Sequence, residues 1–295
     1  MILELLRPEP EWLRALSAAL RIAHYVACLG AVGLAVFAIG FGRQQTPQDA
    51  AACRRVTLGL ASMALASSLA WLTAQVALAS DGDPLDPEVW DMMLTARPGI
   101  SVLLVWAGVI AVALATWIGR AAAVLGWAGI LAVAASFTVA GHTTQHQPRL
   151  LLAIALVVHL LAVAFWAGSL WPLALASRRG GPEAARLVEG WARAATWIVG
   201  ALVLAGVALA WFLVGQLEVL VTTAYGWALL TKVGLVGMLL GFAAWHRFRL
   251  TPALSADDPG AGRRLSASIG WEIAVMVLVF WAVAEMTSTS PQGEG

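Results

Sequence analysis

Eight long apolar blocks divide this chain, and they constrain its fold more than any other feature of the sequence. An uncharged apolar stretch of about 18 residues or more crosses the hydrocarbon core of a bilayer as a helix. With 60% hydrophobic and only 12% charged residues, the chain also lacks the polar surface of a soluble domain. We therefore predict an all-α polytopic membrane protein, a bundle of about eight transmembrane helices that forms a single domain over residues 1–295. The spans run approximately over residues 17–41, 56–79, 99–118, 121–141, 150–176, 194–215, 226–245 and 269–288.

Basic residues lie mainly in alternate connections between the blocks. Twelve of the 18 fall on one side of the predicted bundle and five on the other, and Lys232 lies inside a block. Because cytoplasmic connections are enriched in Lys and Arg, the side with twelve is predicted to face the cytoplasm. Both termini and the acidic connection 81–92 then face the periplasm of a bacterial inner membrane. The acidic, proline-containing start of the chain is unlike a cleaved signal peptide, so we expect the mature protein to begin near Met1.

Several function classes lack their signatures in this sequence. The net charge of +1 gives no indication of nucleic-acid binding. A nucleotide-binding loop, an HExxH motif and a CxxC motif are absent from the sequence, and no segment is long enough for a soluble phosphate-handling domain. We therefore expect no enzymatic activity, and we expect any transport to be passive or coupled to an ion gradient. Cys28 lies in an apolar block and Cys53 in a basic connection, so a disulfide between them is not expected.

Four of the five histidines lie in the predicted outer half of the bundle. At 1.5 Å per helical residue, His24 and His159 lie about 10 and 14 Å below the outer ends of the first and fifth blocks. His142 closes the fourth block, and His146 follows it in the connection. Ionisable groups inside a membrane are costly and usually functional, and imidazole binds copper, zinc and haem iron. The four histidines predict a metal or haem site, and a hydrogen-bonded packing role is the alternative for each of them.

Other side chains could support such a site. Thiolate and thioether ligands favour Cu(I), and Cys28 follows His24 by about one helical turn. For the sulfur-containing residues the alternative is packing or anchoring at the membrane interface, and for Lys232 it is an internal structural partner. A glycine stripe at 234, 237 and 241 is interpreted as intramolecular helix packing, and a dimer interface is the alternative. The supporting candidates are Cys28, Met92, Met93, Tyr225, Lys232, Glu272 and Met286.

Residues 140–176 resemble a segment of the copper-resistance protein D (CopD) family. The resemblance lies in a Gly-His pair at 141–142, a His-Leu-Leu run that begins at His159, and a Trp-x-Gly-x-Leu turn at 166–170. In that turn, Ser169 stands where the family has a second glycine.

Residues 225–252 resemble a second segment of the same family. They contain the pattern Tyr-Gly-x-x-Leu-Leu-x-Lys, which ends at Lys232, and they close with Arg-Phe-Arg-Leu-Thr-Pro. His246 replaces the usual Asn just before that closing run. A His in the first helix, a Glu at the start of the last helix and the count of eight helices also match the family. The resemblance covers about residues 17–291.

The resemblance implies copper handling at the inner membrane, in particular copper uptake from the periplasm, and a separate CopC-type periplasmic copper carrier as a possible partner. Under this hypothesis His24, His142 and His159 bind the copper ion, with His146 or a methionine near the entrance, and the acidic connection concentrates cations. A second hypothesis is a membrane redox protein that holds haem b between two histidines on facing helices. A third is a factor that delivers copper during oxidase assembly, with the same ligands.

Overall fold

The computed structural model describes residues 11–80, 82–118, 122–139, 147–214, 218–256 and 258–288. In that part of the chain all regular structure is helical. A short 3-10 turn, Gly42–Gln44, follows the first helix, and a π-helical turn, His246–Leu250, joins the ninth helix to the tenth. The helices are α1 (Glu11–Phe41), α2 (Pro47–Ala79), α3 (Pro87–Thr95), α4 (Arg97–Ala115), α5 (Ala122–Val139), α6 (Arg149–Arg179), α7 (Gly181–Val214), α8 (Val219–Thr222), α9 (Ala224–Trp245), α10 (Thr251–Ser255) and α11 (Ala261–Ser288).

Eight of these helices correspond in order to the eight apolar blocks. In the described part of the chain, seven are long and apolar enough to cross a membrane: α1, α2, α4, α6, α7, α9 with its continuation, and α11. The eighth, α5, contains a shorter apolar helix over Ala123–Val139. The prediction of an all-α, multi-pass membrane protein is therefore confirmed. The last residues of the predicted fourth span, 140 and 141, lie outside the described residues.

Several helices are longer than the apolar blocks that predicted them. α2 begins at Pro47 instead of residue 56, α7 at Gly181 instead of residue 194, and α11 at Ala261 instead of residue 269. Charged residues end an apolar block without ending a helix, because Arg and Glu are good helix formers. Six basic residues that the sequence assigns to connections therefore lie in the added starts of these three helices: Arg54, Arg55, Arg186, Arg193, Arg263 and Arg264.

Local chemistry explains where the longer helices begin and end. Thr46 caps α2, since its Oγ1 accepts a hydrogen bond from the backbone N–H of Asp49 at 3.2 Å, and Pro47 occupies the first helical position. α6 stops at Gly180, and α7 begins at Gly181, with φ angles of +69° and +82°. Residues with a Cβ rarely adopt this left-handed region, so the glycine pair permits the sharp reversal between the two helices.

Small residues let the central helices approach closely. Gly33 of α1 faces Gly168 of α6, and a Cβ on Gly33 would lie only 1.9 Å from the carbonyl oxygen of Ala164. α4 and α5 meet in the same way, because a Cβ on Gly129 would lie 2.5 Å from the carbonyl oxygen of Gly108. Lipid tails provide no hydrophobic force between helices, so close backbone packing of this kind holds a membrane bundle together.

The glycine stripe on α9 does not share this role. A Cβ added at residue 234, 237 or 241 would meet no atom within 4 Å in the described structure. The interpretation of this stripe as an intramolecular packing surface is therefore wrong for the described part of the chain. α9 packs against α11, and the stripe lies on another face of the helix.

The outer surface of the bundle is apolar. On α7, the side chains of Trp197, Leu204 and Trp211 are 83%, 73% and 79% exposed. A contiguous apolar surface of this kind is rare on a soluble monomer. It fits contact with lipid tails, as the span assignments require.

Candidate functional site

A cavity of about 440 Å³ lies near one end of the bundle, inside a mostly apolar wall. Eight helices contribute to it: α1, α2, α4, α5, α6, α7, α9 and α11. The lining residues lie toward the starts of α1, α4, α6 and α9 and toward the ends of the other four helices. The acidic helix α3 connects α2 to α4, so it lies at the same end as the cavity.

His24 of α1 and His159 of α6 both line this cavity. The His159 ring lies against Gly206 of α7, where a Cβ would be 3.4 Å from the ring Cε1 and 3.5 Å from Nδ1. Nδ1 of His159 is buried and has no hydrogen-bond partner among the described residues. Buried polar atoms are normally paired, and the backbone of Leu202 on α7 also lies near this ring. The role of the two histidines as ligands stays a prediction.

Cys28 lies one helical turn beyond His24. Its Sγ is 3.7 Å from His24 Nε2 and 3.8 Å from Nδ1. The ring of Phe137 from α5 lies 6.0 Å from the His24 ring. Cys28 is fully buried and is not among the described residues that line the cavity. The thiol therefore contacts the imidazole without reaching the cavity itself.

The remaining candidates divide into three groups. Tyr225, Lys232 and Met286 line the cavity together with the two histidines. Met92 and Met93 lie on α3 and are not among the described lining residues. Two others, His142 and His146, lie outside the described residues. Within the described chain, no three His, Cys, Asp or Glu side chains are grouped closely enough to hold a metal ion.

Two basic side chains, Arg21 and Lys232, share the cavity with the imidazoles. Arg21 Nη1 is buried and has no hydrogen-bond partner in the described part of the chain. Lys232 lies close enough to exert a Coulombic effect on the His159 ring. No Asp or Glu is found among the described lining residues. Sequence reasoning missed Arg21, although its position three residues before His24 places both on neighbouring parts of one helix face.

Glu272 does not join the cavity; it lies deeper, between α6 and α11. Its side chain is 1% exposed, and its Oε1 accepts a hydrogen bond of 2.5 Å from Trp166 Nε1. Nδ1 of His246 lies 3.4 Å from Glu272 Oε2, close enough for an ion pair but without hydrogen-bond geometry. Nε2 of His246 lies 2.8 Å from Ser268 Oγ. The sequence places His246 at a helix end, and nothing in the sequence indicates its burial against Glu272.

The fold and the cavity define an all-α, multi-pass membrane protein with a mostly apolar cavity, near one end of its helices, into which histidine and basic side chains extend. Two family profiles match the chain: copper resistance protein D over residues 185–286, and the copper resistance protein D-like N-terminal domain over residues 11–149. The chain belongs to the copper-resistance protein D family.

A curated relative gives the same result. The copper resistance protein D of Pseudomonas syringae pv. tomato is 32% identical to this chain over 151 residues, which are 47% of this chain and 49% of the relative. The chain thus spans about half the length of that relative in the match. No solved structure matches the chain.

Proposed function

We propose that this protein binds copper ions in the cavity between α1 and α6, and that it takes them up or transfers them at the periplasmic side of the inner membrane. The observation that carries the proposal is the convergence of His24 and His159, from distant parts of the sequence, on one cavity. Imidazole is a good copper ligand, and Met286 adds a thioether to the same wall. The copper-resistance family supports copper as the cargo.

His142 and His146 belong to the same proposal. Both lie in the segment that connects α5 to α6, and the adjoining parts of these two helices line the cavity. In this proposal His142 binds the ion together with His24 and His159, and His146 or a methionine serves near the entrance. Exposed carboxylates on and before α3, at the same end of the bundle, would raise the local concentration of cations. A separate CopC-type carrier is the proposed periplasmic donor, and no catalytic step is part of the proposal.

The basic residues in the cavity favour transit over storage of the ion. Arg21 and Lys232 oppose a cation held permanently between the two imidazoles. A site that passes an ion onward must bind it weakly enough to release it. Two neutral imidazoles provide the attraction, and the two nearby cations limit its strength. We therefore expect a moderate copper affinity.

Copper binding to detergent-purified protein tests the proposal. We expect one copper ion per cavity in the wild type, and we expect His159→Ala or His24→Ala to abolish its retention in competition with a soluble chelator. Cys53→Ala is the matched control, because this thiol is buried at the start of α2, contacts Gln45 and does not line the cavity. An unchanged copper affinity in both histidine variants would refute the assignment.

Haem b is a second candidate ligand, and the same cavity favours it for a different reason. A volume of about 440 Å³ with a largely apolar wall suits a flat macrocycle. His24 and His159 would ligate the iron, and Arg21 and Lys232 would neutralise the propionate carboxylates. The bound haem would supply one-electron transfer. A Soret absorption band in protein purified from haem-replete cells is the measurement for this candidate, and a colourless protein would contradict it.

A further inference from the structure

A second buried polar cluster lies beyond the cavity, where α6, α11 and the π-helical turn after α9 meet. Its members are Trp166, His246, Ser268 and Glu272. Glu272 is 1% exposed and His246 is 7% exposed. A buried carboxyl and a buried imidazole in membrane-spanning helices are expensive to maintain, so such groups usually serve a function.

Hydrogen bonds account for one polar atom of each titratable group in the cluster. The other polar atom of each group faces the other group. Trp166 Nε1 donates a hydrogen bond to Oε1 of Glu272, and Ser268 Oγ is hydrogen-bonded to Nε2 of His246. The remaining atoms, Glu272 Oε2 and His246 Nδ1, face each other at 3.4 Å, and Oε2 has no hydrogen-bond partner in the described chain. One proton fits between them, on the oxygen or on the nitrogen.

The helices packed against Glu272 bring no other charge to it. On α1, the sequence has no Asp, Glu, Lys or Arg between Arg21 and Arg43. α6 has none between its first residue and Arg178, which donates to Ser266 Oγ at 2.8 Å, six residues before Glu272. Lys232 lies fourteen residues before His246 on α9.

The π-helical turn, α10 and α11 also bring no other charge close to Glu272. Arg247 and Arg249 of the π-helical turn are exposed, and α10 carries no charged residue. On α11 itself, the nearest charged residues are Arg264, eight positions before Glu272, and Glu285, thirteen positions after it. In a low-dielectric interior an unpaired carboxylate is costly. The pair is therefore stable as a carboxylic acid beside a neutral imidazole, or as a carboxylate beside an imidazolium. Both forms are neutral overall, and both hold one proton.

Two structural features connect this pair to the cavity and to a deformable element. Trp166 lies two helical turns beyond His159 on α6, and Glu272 lies two turns before Val279, which lines the cavity on α11. His246 is the first residue of the π-helical turn His246–Leu250. Such turns are rare in helices and often occur at functional sites. A change in the protonation of Glu272 and His246 can therefore affect the cavity through α6 and α11, which both line it.

We propose that Glu272 and His246 form a proton-binding site that couples proton movement to copper movement through the cavity. In the transfer step the O–H bond at Glu272 Oε2 breaks and an N–H bond forms at His246 Nδ1, which leaves a carboxylate and an imidazolium and changes no oxidation state. The proton site follows from the cluster itself, whereas the coupling to copper rests on the proposed function.

Infrared difference spectroscopy of the reconstituted full chain tests the proton site without any copper. We expect the wild type to show a carboxylic-acid C=O band at a pH where exposed carboxylates are ionised. Glu272→Gln should remove this band and His246→Asn should shift it. Glu189→Gln is the matched control, since this exposed carboxylate on α7 accepts a hydrogen bond from Ser255, and it should leave the band unchanged. A band that persists in Glu272→Gln overturns the proton site, and so does a wild-type spectrum that shows neither this band nor an imidazolium signal that His246→Asn removes.

Proteoliposomes that contain a pH indicator and a copper indicator test the coupling. In the wild type, copper uptake should be accompanied by proton movement and should respond to an imposed pH gradient. Glu272→Gln and His246→Asn should lose the proton signal and the response to the gradient, and Glu189→Gln should keep both. Copper uptake without proton movement in the wild type overturns the coupling. If the infrared band is present and the wild type takes up no copper, the proposed uptake fails and the proton site stands.

Discussion

At the scale of single residues, the cavity combines two groups that attract a metal with two that repel it. The imidazoles of His24 and His159 offer lone pairs, and Arg21 and Lys232 bring positive charge to the same wall. The repulsion acts on a copper ion, but the same charges attract the carboxylates of a haem. The charge of Lys232 should therefore weaken the binding of a copper ion and strengthen the binding of haem, so its removal distinguishes the two candidate ligands.

Removing the charge of Lys232 should change copper and haem binding in opposite directions. Lys232→Leu should raise copper affinity by about thirtyfold, because unit charges about 8 Å apart repel by about 2 kcal/mol at an effective dielectric constant of about 20. The same variant should weaken haem retention. Copper titration against a chelator and the Soret absorbance of the purified variant measure the two effects.

Lys232→Arg is the control for this prediction, because it keeps the positive charge and changes only the shape of the group. It should resemble the wild type in the copper titration. A copper affinity that falls in Lys232→Leu would mean that the lysine attracts the ion or ligates it, and this result would contradict the electrostatic account of the cavity.

At the scale of helices, the contact of α1 with α6 aligns the two cavity histidines. Gly33 and Gly168 lie at the closest approach of the two helices. His24 lies nine residues before Gly33, and His159 lies nine residues before Gly168. The cavity ends of both helices are their starts, so the two run in the same direction, and equal offsets of about 14 Å bring both imidazoles to one level. The glycine contact thus positions the candidate site.

A side chain at the glycine contact should disturb both the bundle and the site. Gly33→Ala places a Cβ 1.9 Å from the carbonyl oxygen of Ala164, so the helices must separate. We expect a destabilisation of about 1–3 kcal/mol, as for other overpacked sites, together with weaker copper retention. Thermal unfolding in detergent measures the first effect and chelator competition the second.

Gly40→Ala is the matched control on the same helix, since a Cβ at that position meets no atom within 4 Å in the described structure. Its melting temperature should equal or slightly exceed that of the wild type, because alanine favours helix over glycine. Equal melting temperatures for Gly33→Ala and Gly40→Ala would show that the α1–α6 contact is not close in the folded protein.

At the scale of the whole molecule, the cavity and the basic helix extensions lie at opposite ends of the bundle. Arg179 at the end of α6 pairs with Asp49 near the start of α2, and Arg54 lies over the Trp117 ring at 4.5 Å. These contacts join α2 to the end of α6 and to the segment just after α4, at the end that carries most of the positive charge. From the positive-inside rule we predict that this end faces the cytoplasm and that the cavity opens toward the periplasm.

Reporter fusions test this orientation. Alkaline phosphatase fused after the last residue of the chain should be active, and green fluorescent protein at the same position should not fluoresce. Fused between α6 and α7, after residue 180, the two reporters should behave in the opposite way. Active phosphatase at residue 180 would reverse the topology, and it would place the cavity and its histidines on the cytoplasmic side.

The helices and part of the site could be predicted without a structure, because they depend on local properties of the chain. Apolar blocks define spans, and a constant rise per residue places His24 and His159 at similar depths. The apolar blocks predict α2, α7 and α11 to be shorter than they are. Hydrophobic residues mark the part of a helix that lies inside the membrane, whereas the backbone hydrogen bonds of the helix continue beyond it. The spacing of the glycines on α9 favours intramolecular packing, but no other helix of the described chain packs against them.

The sequence by itself determined the class of protein, the order of its apolar helices, and the similar depth of His24 and His159. Tertiary structure alone decided which side chains meet. It brought Arg21 and Lys232 into the cavity, kept Cys28 behind it, and joined His246 to Glu272 across two helices. The physical reason is that the depth of a residue follows from its position along one helix, whereas its neighbours depend on how every helix is rotated and packed against the others.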